Sequence, residues 1–206
     1  MIEKSFKKPI YSDNILETAI IGTVLTLLSI LILPAFIISG FAMKVIHNES
    51  NNKPVPKFED FTQLFVIGVK YFGIILGYVG IIMILSFIMG FLGSISEIAS
   101  LLFGLFILFP AYLIYFYLLP AVMYEYSQDY KIKDAFKFKK MMNYITTLQY
   151  LKISLVLFIL VPIVTFVLSF AVSITVIGIL LIPAINIYQL MVQGQLVAEI
   201  ENIKSN

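Results

Sequence analysis

The stretch 54-PVPKFEDFTQLFVIGVKYFG-73 decides the fold, because a charged, turn-forming segment passes there into a long apolar run. Pro54 and Pro56 fit just upstream of a helix start. Glu59 and Asp60 fit its first turn, where carboxylates complement the positive end of the helix dipole. Phe58, Phe61 and Phe65 recur at helical spacing and are expected to sink into a membrane interface. Neighbouring carboxylates on a helix point about 100° apart and do not converge on one proton or one Mg²⁺. The stretch therefore reads as the point where a chain enters a bilayer rather than as an acid–base site.

Composition agrees. Of the 206 residues, 60% are hydrophobic and 13% charged, and mean hydropathy is +0.99. A soluble domain carries about 25% charged residues, so this chain has too little polar surface to coat a particle in water. A net charge of +2 gives no basis for binding nucleic acid. Absent cysteine excludes disulfides, thiolate catalysis and cysteine-ligated metals, and the single His47 excludes a multi-histidine centre. His47, beside Asn48 and Glu49, reads as a solvated loop residue. No P-loop, GxSxG or HExxH pattern occurs. Lys4, Lys7 and Lys8 precede an apolar run as in a signal peptide, but the run from Ala19 to Met43 is longer than the roughly 7–15 residues of such a core. It is expected to be a retained span.

A helix crosses the ~30 Å hydrocarbon with about 20 residues. Five runs reach that length: 17–44, 61–91, 97–125, 148–171 and 175–198. Pro34, Pro110, Pro120, Pro162 and Pro183 lie inside them as expected kinks. The links after the second and fourth runs are short and nearly uncharged, whereas the connectors 45–60 and 126–147 are long and rich in charge. Five spans put Lys4, Lys7 and Lys8 on one side and ten lysines on the other, with Lys70 inside the second span. The positive-inside rule then places both long connectors and the C-terminus in the cytoplasm. The N-terminal lysines argue the other way, and an extra re-entrant N-terminal segment would reconcile them. The connectors share a lysine followed three residues later by Asp and then Phe (Lys57, Asp60, Phe61; Lys131, Asp134, Phe136), as a parallel internal repeat would produce.

The second connector also carries a basic amphipathic helix. Ala135, Phe138, Met142 and Ile145 fall on one face, and Lys133, Lys137, Lys140 and Asn143 on the other. Such a helix lies in the plane of an anionic leaflet or docks a cytoplasmic protein. Asp134 is expected to serve its start as Asp60 serves that of the second span. Lys70 is either a functional intramembrane cation or a residue that snorkels to the interface. Asn186, Gln189 and Gln193 share a face of the fifth span and either join helices or line a polar cavity. Small residues form two stripes, Thr18–Gly22–Thr26–Ser29 and Gly73–Gly77–Gly80, that suit close helix approach.

Several motifs carry a resemblance over nearly the whole chain: "ISGFAMKVIHN", "KPVPKFEDF" followed by "LFVIGVKYF", then "DAFKFKKMMNYI", "QYLKISLV" and "YQLMVQGQLVAE". In this order they resemble an uncharacterised prokaryotic, mostly archaeal, membrane-protein family, domain of unknown function four thousand and thirteen. That family usually shows Gly-Tyr and Arg after the first span, where this chain has Gly40-Phe41 and Lys44. The resemblance implies a helical membrane architecture and carries over no activity and no catalytic residue. The expectation is an all-α polytopic transmembrane bundle of about five spans plus an interfacial amphipathic helix. It would be a multi-pass cell-membrane component, non-enzymatic and without cofactor, an accessory or scaffold subunit in contact with the bilayer and with a protein partner or a second copy. The alternative is a small transporter or channel with a polar cavity between spans two and five.

Overall fold

The computed structural model describes residues 2–29, 32–175 and 181–204. Among them there is no β-strand. The helices are α1 (Ile2–Ile10), α2 (Ile15–Leu28), α3 (Leu33–Ser50), α4 (Phe61–Ile95), α5 (Glu97–Asp129), α6 (Phe138–Ile145), α7 (Leu148–Ser173), α8 (Ile182–Ala198) and α9 (Ile200–Lys204). A 3₁₀ turn, Ile132–Phe136, precedes α6. The all-α expectation holds. Among the described residues, three helices are long and apolar enough to cross a membrane: α4, α5 and α7. At 35 and 33 residues, α4 and α5 are each about 50 Å long, well beyond the ~30 Å hydrocarbon thickness.

The run 17–44 expected as one span is two helices. The chain breaks after Leu28, and Ile32 takes a φ of 66°, where a β-branched side chain is strained. Pro34 then starts α3, in the first-turn position that needs no donor. This is a reversal rather than a kink: α2 packs against α3, Ile15 reaches the cluster of Phe41, Val45 and Phe58, and Glu17 pairs with Lys57 at 3.5 Å. The start of α2 thus lies beside the segment that follows the end of α3. The part of the expected fifth span at 176–180 lies outside the described residues; the remainder is α8.

Pro110 and Pro162 sit inside continuous helices, each just after a π-helical turn, Gly104–Leu108 and Val156–Leu160. A proline removes one donor and its ring crowds the preceding turn, which a locally widened turn accommodates. Pro120 is handled differently. The Tyr150 hydroxyl donates to the Tyr117 carbonyl (2.6 Å) and accepts from the Ala121 amide (3.2 Å), bridging the two groups that one turn of α5 would otherwise join.

The closest helix pair is α3 with α4. A Cβ at Gly40 would lie 1.8 Å from the Leu64 carbonyl oxygen, and one at Gly68 would lie 1.8 Å from that of Phe36. Backbone meets backbone at both points, so an alanine at either glycine would force the helices apart. The stripe expected for this role is elsewhere: a Cβ at Gly73 or Gly80 would meet nothing within 4 Å, and one at Gly77 would meet only the Phe136 ring. Gly22 of the other stripe does press on a neighbour, the Ile187 side chain of α8. α8 packs against α1, α2, α3, α5 and α7, which makes it the central helix. Among the described residues, the far halves of α4 and α5 pack chiefly on one another, with Phe87, Ile98 and Leu101 exposed.

Candidate functional site: the polar end of the bundle

Contacts gather the charged parts of the chain at one end. Lys8 of α1 pairs with Glu49 of α3. The His47 ring donates from Nδ1 to the Ser127 carbonyl at 3.0 Å and lies against Tyr130, so this residue is a helix-joining contact within α3 and not a solvated loop residue. Tyr124 of α5 donates to the Glu201 carboxylate of α9. Every lysine except Lys70 falls in an element at this end: α1, the last turns of α3, the two connectors, the first turns of α7, and α9. The opposite end, marked by Ser96 between α4 and α5, carries none.

At the centre of this end lies Glu125, its side chain 0% exposed. Lys140 of α6 approaches its carboxylate at 2.5 Å, and the Tyr144 hydroxyl donates to the other oxygen at 3.3 Å. A buried carboxylate persists only when paired and hydrogen-bonded. Burial and the adjacent Glu125 charge push the Tyr144 hydroxyl well above its ordinary pKa, keeping it protonated as a donor. Burial likewise pushes Tyr130 up to about 12. The rings of Tyr124, Tyr144, Tyr150 and Tyr117 follow one another at 6.1, 5.9 and 5.1 Å, a tyrosine layer beneath the ion pair.

The interface residues expected from sequence divide into several roles. Asp60 is the N-cap of α4: its carboxylate accepts from the Gln63 amide at 3.0 Å, with the backbone in the left-handed region at φ 51°. Glu59 and Phe61 are exposed beside it. Phe58 is not an interface anchor. It is 4% exposed and stacks on Phe41, centroids 4.0 Å apart, in the core beneath the first connector.

Asp134 does not cap α6. It is buried in the 3₁₀ turn and paired with Lys137, whose hydrogen bond holds the carboxyl below the ordinary range. Lys137 and Lys140 are therefore engaged by carboxylates of the chain itself. α6 turns Met141, Tyr144 and Ile145 inward and leaves Phe138 and Met142 exposed.

The four candidate cavity residues are not brought together. Lys70 is exposed about 14 Å along α4. Asn186 is exposed on α8, and Gln189 and Gln193 are half-buried. α3 packs against both α4 and α8, which keeps the two apart where a shared cavity was expected. The buried amide of α8 is Gln195, which the spacing argument did not single out as a contact.

The family described as "Protein of unknown function (DUF4013)" matches residues 27–177. The chain belongs to this family. The DUF4013 match runs from the last turn of α2 through α7, so it contains the α3–α4 glycine contact, both connectors and the Glu125 cluster. α1, α8 and α9 lie outside it or at its edge. The resemblance drawn from the motifs named the same family. No curated protein and no solved structure matches the chain.

Proposed function

We propose that this DUF4013 protein is a multi-pass component of the cell membrane, without enzymatic activity, that serves as an accessory or scaffold subunit for a protein partner. The one-sided placement of lysine supports this reading. If α2–α3, α4–α5 and α7–α8 each cross and return, both chain termini and both long connectors share the lysine-rich side, and the positive-inside rule puts that side in the cytoplasm. The conflict that five spans created, with three lysines opposed to ten, then disappears. Lys70 fits as a snorkelling residue, because helical side chains lean toward the N-terminus, which for α4 is the lysine-rich end.

Lys133 and Lys139 are exposed at this end and pair with no carboxylate within 4 Å among the described residues. They are the groups placed to meet an acidic partner surface. The test is affinity capture of the tagged full chain from its native membrane, beside the double variant Lys133→Glu, Lys139→Glu. A stoichiometric protein that co-purifies with the parent and is lost from the folded double variant supports the scaffold role. Recovery of the chain alone, with identical mass for both forms, contradicts it.

A further inference from the structure

We propose that the cleft between α1, the first turns of α7 and α9 is a binding site for a membrane phospholipid with an anionic phosphate headgroup. The inference rests on the bilayer placement proposed above and is independent of the scaffold role. The cleft has a volume of about 660 Å³, within the ~300–1,000 Å³ of ligand pockets. Its wall is apolar where Ile2, Leu155, Val156 and Ile203 face one another, and polar where Gln149, Lys152 and Asn202 stand at the lysine-rich end. An amphiphile with one charged end matches this division.

Charge selects the headgroup. Lys152 is exposed at the cleft and has no carboxylate within 4 Å among the described residues, whereas Lys8, Lys137 and Lys140 at the same end are each paired. Glu199 also lines the cleft, but its carboxylate accepts from the Asn202 side chain at 2.6 Å. It borders as well a small polar cavity that Lys4 lines. The Glu199 carboxylate thus has a hydrogen-bond donor within the protein, whereas the ammonium of Lys152 has no carboxylate partner among the described residues. Leu155 and Val156 lie about one turn farther along α7, some 5 Å toward the apolar part of that helix. A phosphate at Lys152 therefore leaves its acyl chain against them. A soluble anion would have no use for the apolar wall, and the bilayer presents phospholipid at this level continuously.

The chain has no tryptophan, so one introduced indole reports on one place. Leu155→Trp puts it in the cleft, and Phe106→Trp puts it on the lipid-exposed face of α5, where the native ring is 69% exposed. Each full-length variant is reconstituted into mixed vesicles, and quenching by brominated phosphatidylglycerol is compared with quenching by brominated phosphatidylcholine. One juxtamembrane lysine predicts about a fivefold preference for the anionic lipid at the cleft and none at the control position. Lys152→Gln in the Leu155→Trp background should abolish the preference and Lys152→Arg should keep it. Should Leu155→Trp fail to fold, Ile203→Trp reports from the opposite wall. Equal quenching by both lipids at the cleft overturns the proposal, as does no quenching there while the control is quenched, the outcome for a protein occupant. Loss of quenching at the control position would instead contradict the bilayer placement itself.

Discussion

The two long connectors share a short motif and fold it into different structures. Each offers a lysine, an aspartate three residues on, and a phenylalanine. In the first, the aspartate caps a helix that begins at the next residue, and the chain before it is a strap held by Phe58 stacked on Phe41. In the second, the aspartate is buried in a 3₁₀ turn with Lys137, and Phe136 stacks on Tyr78 at 5.2 Å. The residues downstream of the motif account for the difference. Phe61 opens a long helix directly after Asp60, so the Gln63 amide in its first turn is free to donate to the Asp60 carboxylate. Asp134 is followed by Lys137, Lys139 and Lys140, and a charge partner arrives before a helix does. A short motif records local chemistry, and the neighbouring elements decide which of its bonds form.

That contrast can be broken by substitution, with unfolding in mixed detergent micelles as the readout. Phe58→Ala should have the largest effect, about 3–5 kcal/mol, because it opens a cavity in the core under the first connector. Phe138→Ala, in the second, removes a ring that is 47% exposed and should cost about 1 kcal/mol or less. Equal losses would mean that both rings are interfacial.

Next comes Lys140→Met, which takes the cation from the buried Glu125 and should cost about 3 kcal/mol. Lys133→Met, at an exposed position, should stay within about 0.5 kcal/mol. Asp60→Ala should cost about 1 kcal/mol by removing the cap of α4. Asp60→Asn should be near neutral, since asparagine both caps and tolerates a positive φ.

The smallest effect is that of pH on the second connector. Asp134 sits below its ordinary value of 3.8, held chiefly by Lys137 with Lys131 and Lys133 nearby. Its contribution is therefore complete above that value and fades as pH falls through the lower, folded one. Amide protection factors over residues 132–136, corrected for intrinsic exchange, should drop below pH 3.8 in the parent and be independent of pH in Asp134→Asn.

Much of the fold was legible in the sequence. Run length and composition located α4, α5 and α7 to within a few residues at each end, because charged or turn-forming residues bound each apolar run. Asp60 was legible as a helix-start residue because capping is local. The break after Leu28 was not: both halves are apolar and Pro34 reads equally as a kink. Only contacts distant in sequence, Glu17 with Lys57 and Ile15 with the cluster that holds Phe41 and Phe58, separate a bent span from a hairpin.

Glycine spacing showed that close approach was available without showing which face would use it. Gly40 and Gly68 make the contact, and Gly73 and Gly80 make none. Glu125 escaped notice as a site because it closes an apolar run and its partner lies 15 residues farther on, in another helix. The candidate cavity failed for the same reason. A polar face on α8 and a lysine on α4 carry no information about the helix that packs between them.

The central claim is that the chain folds as paired helices that return to one lysine-rich side. Single cysteines introduced by Lys7→Cys, Lys139→Cys and Glu97→Cys test it directly, since the chain contains no other cysteine. In sealed right-side-out vesicles treated with a membrane-impermeant maleimide, the account predicts that positions 7 and 139 react only after the membrane is opened, and that position 97 reacts from outside. Labelling of positions 7 and 139 from opposite sides would contradict it.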